Sequence, residues 1–248
     1  MDVETLYGEI VKWVRDSVFS TGGKGGVFGL SGGLDSSVVG VLCQKAFGQD
    51  CLGVSLPCYS SPEDREHAEI LANSFNIPFT VITLDTVFDE MMFQLQGGKD
   101  VSQQEDLSAS NIKPRLRMVA LYYIAAKHSY RVIGTGNKSE ILLGYFTKYG
   151  DSAVDLEPLG DLLKEEVYEL ADYLQIPREI IDKKPSAGLW SGQTDEEEMG
   201  FTYGDLDEYL KGNQVEPALK EKIEFMIKRS EHKRHMPPLF KRGDNNSS

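Results

Sequence analysis

One stretch of the chain decides its fold: Val27-Phe28-Gly29-Leu30-Ser31-Gly32-Gly33-Leu34-Asp35-Ser36-Ser37. Its apolar start, glycine pair and serine-rich end predict a short buried strand, a tight loop, and a helix from about Ser37 to Phe47. The two glycines allow a sharp turn and close backbone approach to a ligand, because they lack a Cβ atom. The free N–H groups at a helix N-terminus favour phosphate. The stretch is therefore predicted to bind phosphate.

Asp35 is the unusual residue of this loop, since an acid among anion-binding groups repels phosphate. Its presence is explained if it holds Mg²⁺ against the phosphate oxygens. The kinase-type phosphate loop has a lysine after its second glycine, and none stands at that position here. The alternative is an ordinary strand-to-helix turn, with Asp35 or a serine as the helix N-cap.

Composition narrows the class of protein. The 248 residues carry a formal net charge of −13, which argues against general binding to nucleic acid or to an anionic membrane. The three cysteines, Cys43, Cys51 and Cys58, form no CxxC pair and suggest no disulfide framework. The first residues are acidic, unlike a signal peptide, and no apolar run approaches membrane-spanning length. These features predict a cytoplasmic protein.

Strand and helix patterns alternate along the chain at the spacing of βαβ units. Strands are predicted from 27 and at 52–57, 79–84 and 131–136, and helices at 3–18, 61–75, 86–95, 111–128, 162–174 and 215–229. This order predicts one α/β domain over residues 1–248, with a doubly wound, mostly parallel sheet covered by helices on both faces. Ligands are expected at the carboxyl ends of the strands.

The second half of the chain contains less regular segments. Residues 186–204 hold four glycines and many acids, and are predicted to be a long loop, acidic and mobile over about 188–204. The tail over about 228–242 is basic. In so acidic a chain this tail is a natural site for an anionic ligand, although cations at a helix C-terminus are the competing explanation.

Further charged residues follow the predicted strands and helices. Glu140 is predicted to share a sheet edge with Asp35 and to hold the same Mg²⁺ with it, unless it only satisfies the dipole of its own helix. Of Arg115 and Arg117, we expect one to reach the ligand and the other to serve structure. Lys164 is expected to meet an α-phosphate or else to pair with Glu165 or Asp161.

Taken together, these motifs resemble the ammonia-dependent NAD⁺ synthetases of the N-type ATP pyrophosphatase superfamily. The resemblance spans nearly the whole chain, and the phosphate loop is the motif that other ATP pyrophosphatases share. The stretches that carry the resemblance are Gly29–Ser36, Asn111–Met118, Gly134–Gly136, Gly144–Asp151, Pro185–Trp190, Gly192–Glu196 and Ser230–Arg234. No glutaminase domain precedes them, so the form that uses free ammonia is expected.

The resemblance implies an adenine nucleotide α-hydrolase-like fold, a homodimer with its dinucleotide site at the interface, and a role for particular residues. Asp35 and Glu140 would hold Mg²⁺. The implied ATP-binding residues are Gly29, Leu30, Ser31, Gly32, Gly33, Leu34, Asp35, Ser36, Thr135, Lys164 and Ser186. The implied deamido-NAD⁺-binding residues are Arg115, Lys148, Asp155, His232 and Lys233.

The implied reaction adenylates the nicotinate carboxylate of deamido-NAD⁺ with ATP, and ammonia then displaces AMP. Positioning, together with charge stabilisation by Mg²⁺ and Lys164, would carry the catalysis, and no protein nucleophile is needed. Asp151 lies beside Lys148 in a matched motif, and we hypothesise that it holds ammonium near the acyl carbon.

The alternatives are a GMP-synthetase-type amidotransferase domain, a tRNA thiolase and a non-catalytic adenine-nucleotide sensor. The acidic charge and lack of CxxC weaken the thiolase, the later motifs weaken the GMP enzyme, and two metal-binding carboxylates weaken the sensor.

Overall fold

A single parallel sheet lies at the centre of the parts of the chain that the structure describes. The computed structural model describes residues 2–98, 107–186, 188 and 194–242. Its strands follow the order β3-β2-β1-β4, and every pairing is parallel. The strands are β1 Gly25–Gly29, β2 Cys51–Ser55, β3 Phe79–Val81 and β4 Tyr130–Val132.

Helices cover the sheet and extend beyond its edge. They are α1 Val3–Ser20, α2 Leu34–Phe47, α3 Pro62–Phe75, α4 Asp85–Leu95, α5 Leu107–Ser110, α6 Ile112–His128, α7 Lys138–Leu143, α8 Lys164–Tyr173, α9 Arg178–Ile181, α10 Asp195–Met199, α11 Tyr203–Leu210 and α12 Pro217–Ser230. A 3₁₀ helix, Glu231–Lys233, follows α12. No helix in these described ranges is long and apolar enough to cross a membrane.

The two faces of the sheet bury separate hydrophobic clusters, and β1 contributes to both. Phe28 and Val27 are both 0% exposed, and they belong to different clusters because successive strand residues point to opposite faces. The cluster around Phe28 includes residues of α1, α2 and α8, whereas the cluster around Val27 includes residues of α6. This arrangement confirms the predicted α/β class with helices on both faces.

Several element bounds differ from the predictions. Helix α2 begins at Leu34 rather than Ser37, with Gly33 as its N-cap residue, so the whole Asp35-to-Ser37 segment is helical. Strands β3 and β4 end three or four residues earlier than predicted, at Val81 and Val132. After β4, Ile133 forms a single bridge to Leu156, and the chain then leaves the sheet.

The prediction of one long loop over residues 186–204 is wrong for 195–199 and 203–204, which are helical. The acids of the 195–198 run lie in the first turn of α10, where the positive end of the helix dipole stabilises them. The apolar residues Met199, Phe201 and Tyr203 are buried in a third hydrophobic cluster with α7 and α12. Residues 187 and 189–193, with parts of two matched motifs, lie outside the described residues.

Candidate active site

A cavity of about 1120 Å³ opens at the carboxyl ends of β1, β2 and β4. Its lining includes residues of the phosphate loop, of the segments after β2 and β4, and of the chain around α12. Parallel strands with helical crossovers leave their ligand crevice at this edge. The volume of the cavity lies just above the range of about 300–1000 Å³ that is usual for small-molecule pockets.

The phosphate loop is held by its own hydroxyl groups. The Ser31 and Ser36 Oγ atoms are 2.9 Å apart, and the Ser36 and Ser37 hydroxyls donate to the Gly33 carbonyl at 2.9 and 2.8 Å. Gly32 has φ +78°, and a Cβ on it would lie 2.1 Å from the Asp64 carbonyl oxygen, so only glycine fits there.

The predicted phosphate-binding residues therefore lie together at one end of the cavity. Those that line it are Gly29, Leu30, Ser31, Gly33, Leu34, Asp35 and Ser36. Gly32 instead packs against α3. Thr135 and Ser186 also line the cavity, and Ser186 lies exposed at its rim.

Asp35, Glu140 and Lys164 form a charged cluster in the cavity wall. The Lys164 Nζ atom lies 2.5 Å from Asp35 Oδ2 and 3.6 Å from Glu140 Oε1. The Lys164 side chain is 3% exposed, and the two carboxylate side chains are 17% and 19% exposed. The structure thus brings together the two predicted metal ligands and the predicted catalytic lysine, although long stretches of sequence separate them.

Local hydrogen bonds fix these carboxylates. Asn137 caps α7, with its Oδ1 accepting from the Glu140 N–H at 3.0 Å, while Glu140 Oε2 accepts from the Asn137 N–H at 3.2 Å. The Asn137 amide also donates to Asp35 Oδ1 at 2.9 Å. Glu140 therefore caps its own helix with one carboxylate oxygen and faces Lys164 with the other. Its helix role is observed, and its binding of Mg²⁺ stays a prediction.

The side chains of this cluster shift one another's pKa values. Burial and the nearby Asp35 charge raise the pKa of Glu140. Burial alone would lower the pKa of Lys164, but the charges of Asp35 and Glu140 outweigh it and raise that pKa. The predicted alternative pairing of Lys164 with Glu165 or Asp161 is wrong: those acids pair with Lys211 and Lys138.

The cluster fits a magnesium ion. Mg²⁺ is commonly held by one or two carboxylates together with substrate phosphates and water, and two carboxylates meet here beside a phosphate loop. Within the described ranges, no group of three or more His, Cys, Asp or Glu residues is arranged to hold a metal. Two carboxylates would leave the remaining coordination positions of the ion to phosphate oxygens and water.

The two neighbouring arginines of α6 point in different directions, as expected. Arg117 lines the cavity, where its Nε donates to the Leu56 carbonyl at 3.0 Å and its terminal nitrogen donates to Ser60 Oγ at 3.3 Å. Arg115 is exposed outside the cavity, and its guanidinium donates to the Lys148 carbonyl at 3.3–3.4 Å. Within this chain Arg117, not Arg115, reaches the cavity.

Four of the five residues that the resemblance assigned to deamido-NAD⁺ lie in or beside the cavity wall, and Asp155 lies apart from them. Arg115, Lys148 and His232 are linked, because the Lys148 ammonium donates to the His232 carbonyl at 2.6 Å. His232 and Lys233 line the cavity, and the Lys233 Nζ donates to two loop carbonyls, each at 2.8 Å. Asp155 stands apart, since it accepts from the Val132 N–H at 2.8 Å and anchors β4.

Asp151 lies at the cavity rim. Its carboxylate accepts from the Thr147 N–H at 2.9 Å, and the residue as a whole is exposed. The surrounding protein nevertheless removes enough water from the carboxylate to raise its pKa. Lys233 and Arg117 lie close enough to oppose that rise.

Comparisons with known proteins identify the family of this chain. The family model described as NAD synthase matches residues 6–237. The chain belongs to the NAD synthase family. Among its relatives are the NH₃-dependent NAD⁺ synthetases of Syntrophomonas wolfei, 48% identical with 96% of each chain covered, and of Archaeoglobus fulgidus, 43% identical with 96% of this chain and 97% of the relative covered.

Solved structures of the family share the fold. An NMN synthetase from Francisella tularensis has a TM-score of 0.90 at 38% identity, covering 96% of this chain and 98% of its own. An NH₃-dependent NAD synthetase from Campylobacter jejuni has a TM-score of 0.79 at 30% identity, covering 97% and 100%. Membership of this family makes the chain an NAD⁺-forming ligase with the adenine nucleotide α-hydrolase-like fold. The GMP-synthetase, thiolase and sensor alternatives are therefore wrong.

Sequence reasoning missed several residues that support the NAD synthase site. Asp207 of α11 is 1% exposed, and it accepts from the Ser139 hydroxyl at 2.5 Å and from the Glu165 N–H at 3.0 Å. Glu157 accepts from the Gly136 N–H at 3.0 Å, and burial raises its pKa to about 8. The Tyr203 hydroxyl contacts Glu140. No motif marked these residues, because each acts through a contact between distant parts of the chain.

Proposed function

We propose that residues 1–248 act as one cytoplasmic catalytic domain that amidates deamido-NAD⁺ with free ammonia at the expense of ATP. The observation that carries the proposal is the cluster of Lys164, Asp35 and Glu140 beside the phosphate loop, in a cavity of about 1120 Å³. The three cysteines are buried and unpaired, which suits a reducing compartment.

In the first step a nicotinate carboxylate oxygen attacks the α-phosphorus of ATP. The new P–O bond forms as the bond to the β-phosphate oxygen breaks, and pyrophosphate leaves. Ser31, Ser36 and the N-terminus of α2 bind the phosphates, and the Lys164 ammonium stabilises the spreading negative charge. Asp35 and Glu140 would hold Mg²⁺, which neutralises phosphate charge when bound.

In the second step ammonia attacks the acyl carbon, and AMP leaves with the electron pair of the broken C–O bond. Ammonium must first lose a proton to water, and the attacking nitrogen releases a second proton to water as the amide forms. We assign Asp151 to holding ammonium, since its carboxylate lies at the cavity rim. Asp151→Asn is expected to raise the ammonium KM about tenfold or more, while Asp161→Asn, an exposed pair with Lys138, has no effect. An unchanged ammonium KM and kcat in Asp151→Asn would contradict the assignment.

The test of the whole reaction is pyrophosphate release, with deamido-NAD⁺ and ammonium each present or omitted. We expect release to require deamido-NAD⁺, and NAD⁺ to form only when ammonium is added. Asp35→Asn is expected to abolish both products, whereas Asp16→Asn, an exposed partner of Lys12, should leave them unchanged. Release that ignores deamido-NAD⁺ would overturn the substrate assignment.

A second candidate substrate follows from the structural neighbour that forms NMN. Forming NMN by the same chemistry requires nicotinate mononucleotide, which has the same carboxylate without the AMP half of the dinucleotide. The assay therefore includes this acid as a separate substrate. A higher kcat/KM for the mononucleotide would make it the preferred substrate, with the adenylation and amidation steps unchanged.

We also propose a homodimer that completes the dinucleotide site. Exposed apolar residues lie on two adjacent helices: α4, which has no buried residue, and α6, where Val119 and Tyr123 are 60% and 68% exposed. Tyr123→Glu is expected to give a monomer in sedimentation with a raised KM for deamido-NAD⁺. Phe225→Glu, at an equally exposed position on α12, should leave the dimer intact. A Tyr123→Glu variant that remains dimeric would place the interface elsewhere.

A further inference from the structure

Tyr203 links the Glu140 carboxylate of the charged cluster to Asp195, the first residue of α10. It is the first residue of α11 and is 5% exposed. Its hydroxyl oxygen lies 3.3 Å from Glu140 Oε1 and 3.0 Å from Asp195 Oδ2. Its ring lies under the Lys164 ammonium, 5.0 Å from the ring centroid. One side chain therefore touches the carboxylate and the lysine of the charged cluster.

The hydroxyl can act here only as a hydrogen-bond donor to acids. A phenol carries its proton at neutral pH, so its O–H can donate to a carboxylate. Its single proton lies between two carboxylate acceptors. A neutral donor between two acids reduces their repulsion and limits the directions in which Glu140 can turn.

We propose that Tyr203 is a positioning residue, whose hydroxyl holds the Glu140 carboxylate in the orientation that receives the magnesium–nucleotide complex. The inference rests on the proposed magnesium role of Asp35 and Glu140. Tyr203 itself is not among the residues that line the cavity. Its effect passes through the one Glu140 oxygen that also faces Lys164.

A purely structural role is the competing explanation, because the ring also packs in the hydrophobic cluster of α7, α11 and α12. Tyr203→Phe separates the two roles, since it keeps the ring, its packing and its contact with Lys164 while removing only the hydroxyl. Tyr209→Phe is the matched control. Tyr209 lies on the same helix, and its hydroxyl contacts Glu224 at 3.4 Å on the exposed surface.

The experiment measures how much magnesium strengthens nucleotide binding. The probe is α,β-methylene ATP, which cannot be cleaved, titrated calorimetrically into the full chain with excess Mg²⁺ and again with EDTA. The ratio of the two Kd values reports the coupling between metal and nucleotide. We expect Tyr203→Phe to reduce this ratio about tenfold, which corresponds to about 1.4 kcal/mol, and Tyr209→Phe to leave it unchanged.

Three outcomes would overturn the proposal. The first is an unchanged ratio in Tyr203→Phe. The second is an equal loss of nucleotide affinity with and without Mg²⁺, which indicates a general structural defect. The third is a wild-type ratio of one, which removes the magnesium role itself and is recognised because it appears before any substitution is made.

Discussion

Replacing Lys164 by methionine tests the charged cluster directly. The substitution keeps an unbranched side chain of nearly the same length and removes the ammonium that lies 2.5 Å from Asp35 and 3.6 Å from Glu140. The two carboxylates then remain together, without their cation, in a wall where the lysine side chain is 3% exposed. We expect the nucleotide-free protein to lose stability at alkaline pH.

The distances set the size of the loss. Unit charges separated by the 3.6 Å between Lys164 Nζ and Glu140 Oε1 attract by about 5 kcal/mol at an effective dielectric constant of about 20. Removing one partner of a buried pair costs about 3–5 kcal/mol, because the other charge is left uncompensated. We therefore expect a loss of about 3 kcal/mol, which lowers Tm by about 10 °C in a chain of this length.

The loss should depend on pH in a stated direction. Burial and the Asp35 charge already raise the pKa of Glu140, and removing Lys164 raises it further. A carboxyl whose folded pKa is raised favours folding at low pH, and that contribution disappears as the pH rises through the folded pKa. Near pH 5, Glu140 of the variant is protonated and the repulsion is small. The stability difference from wild type should therefore widen as the pH rises to 8.5.

The assay is thermal unfolding in EDTA at pH 5, 7 and 8.5. Lys211→Met is the control, since Lys211 also contacts two carboxylates, Glu165 at 2.7 Å and Glu208 at 3.0 Å, but at the surface. It should change Tm little at any pH. Added Mg²⁺ should raise the Tm of Lys164→Met more than that of wild type, because it replaces the lost charge. A Lys164→Met variant as stable as wild type at pH 8.5 would refute the reasoning.

Three further substitutions test other parts of the site. Gly32→Ala should lower Tm and raise the KM for ATP several-fold, because a Cβ at this position would lie 2.1 Å from the α3 backbone. The control is Gly8→Ala, which should change neither quantity because the space around Gly8 is open. Glu157→Gln should remove one source of the pH dependence of stability. Because the pKa of Glu157 is raised to about 8, this carboxyl makes the wild-type protein less stable as the pH rises from about 5 to 8.5. The Tm difference between the two proteins should therefore widen over that range. Arg117→Lys should raise the KM for ATP about tenfold, since one ammonium cannot serve both acceptors on the segment after β2. An unchanged Tm or KM in the respective assay would contradict each expectation.

The sheet and its phosphate loop could be predicted because their signals are local. The run at Val27 and Phe28 is apolar on both faces, as a central parallel strand must be, and the glycine pair that follows allows a tight turn. Parallel topology then fixes which loops share an edge. The helix at 195–199 was missed because its acids mimic a solvated loop, and because Met199 is its one buried apolar residue, so it shows no apolar spacing.

Asp35 and Glu140 were predicted to share a sheet edge, but the contacts that arrange the charged cluster could not be read from the sequence, because part of the cluster also has a local role. Asn137 and Glu140 form a capping box, which accounts for both residue types without any ligand. Only the folded chain shows the Asn137 amide donating to Asp35, about a hundred residues away. The relative placement of Glu140 and Lys164 depends further on Asp207, which joins the first turns of α7 and α8 through Ser139 and the Glu165 N–H. The geometry of the charged cluster is therefore a property of contacts between helix N-termini, and substitutions at Asp207 are expected to disturb it.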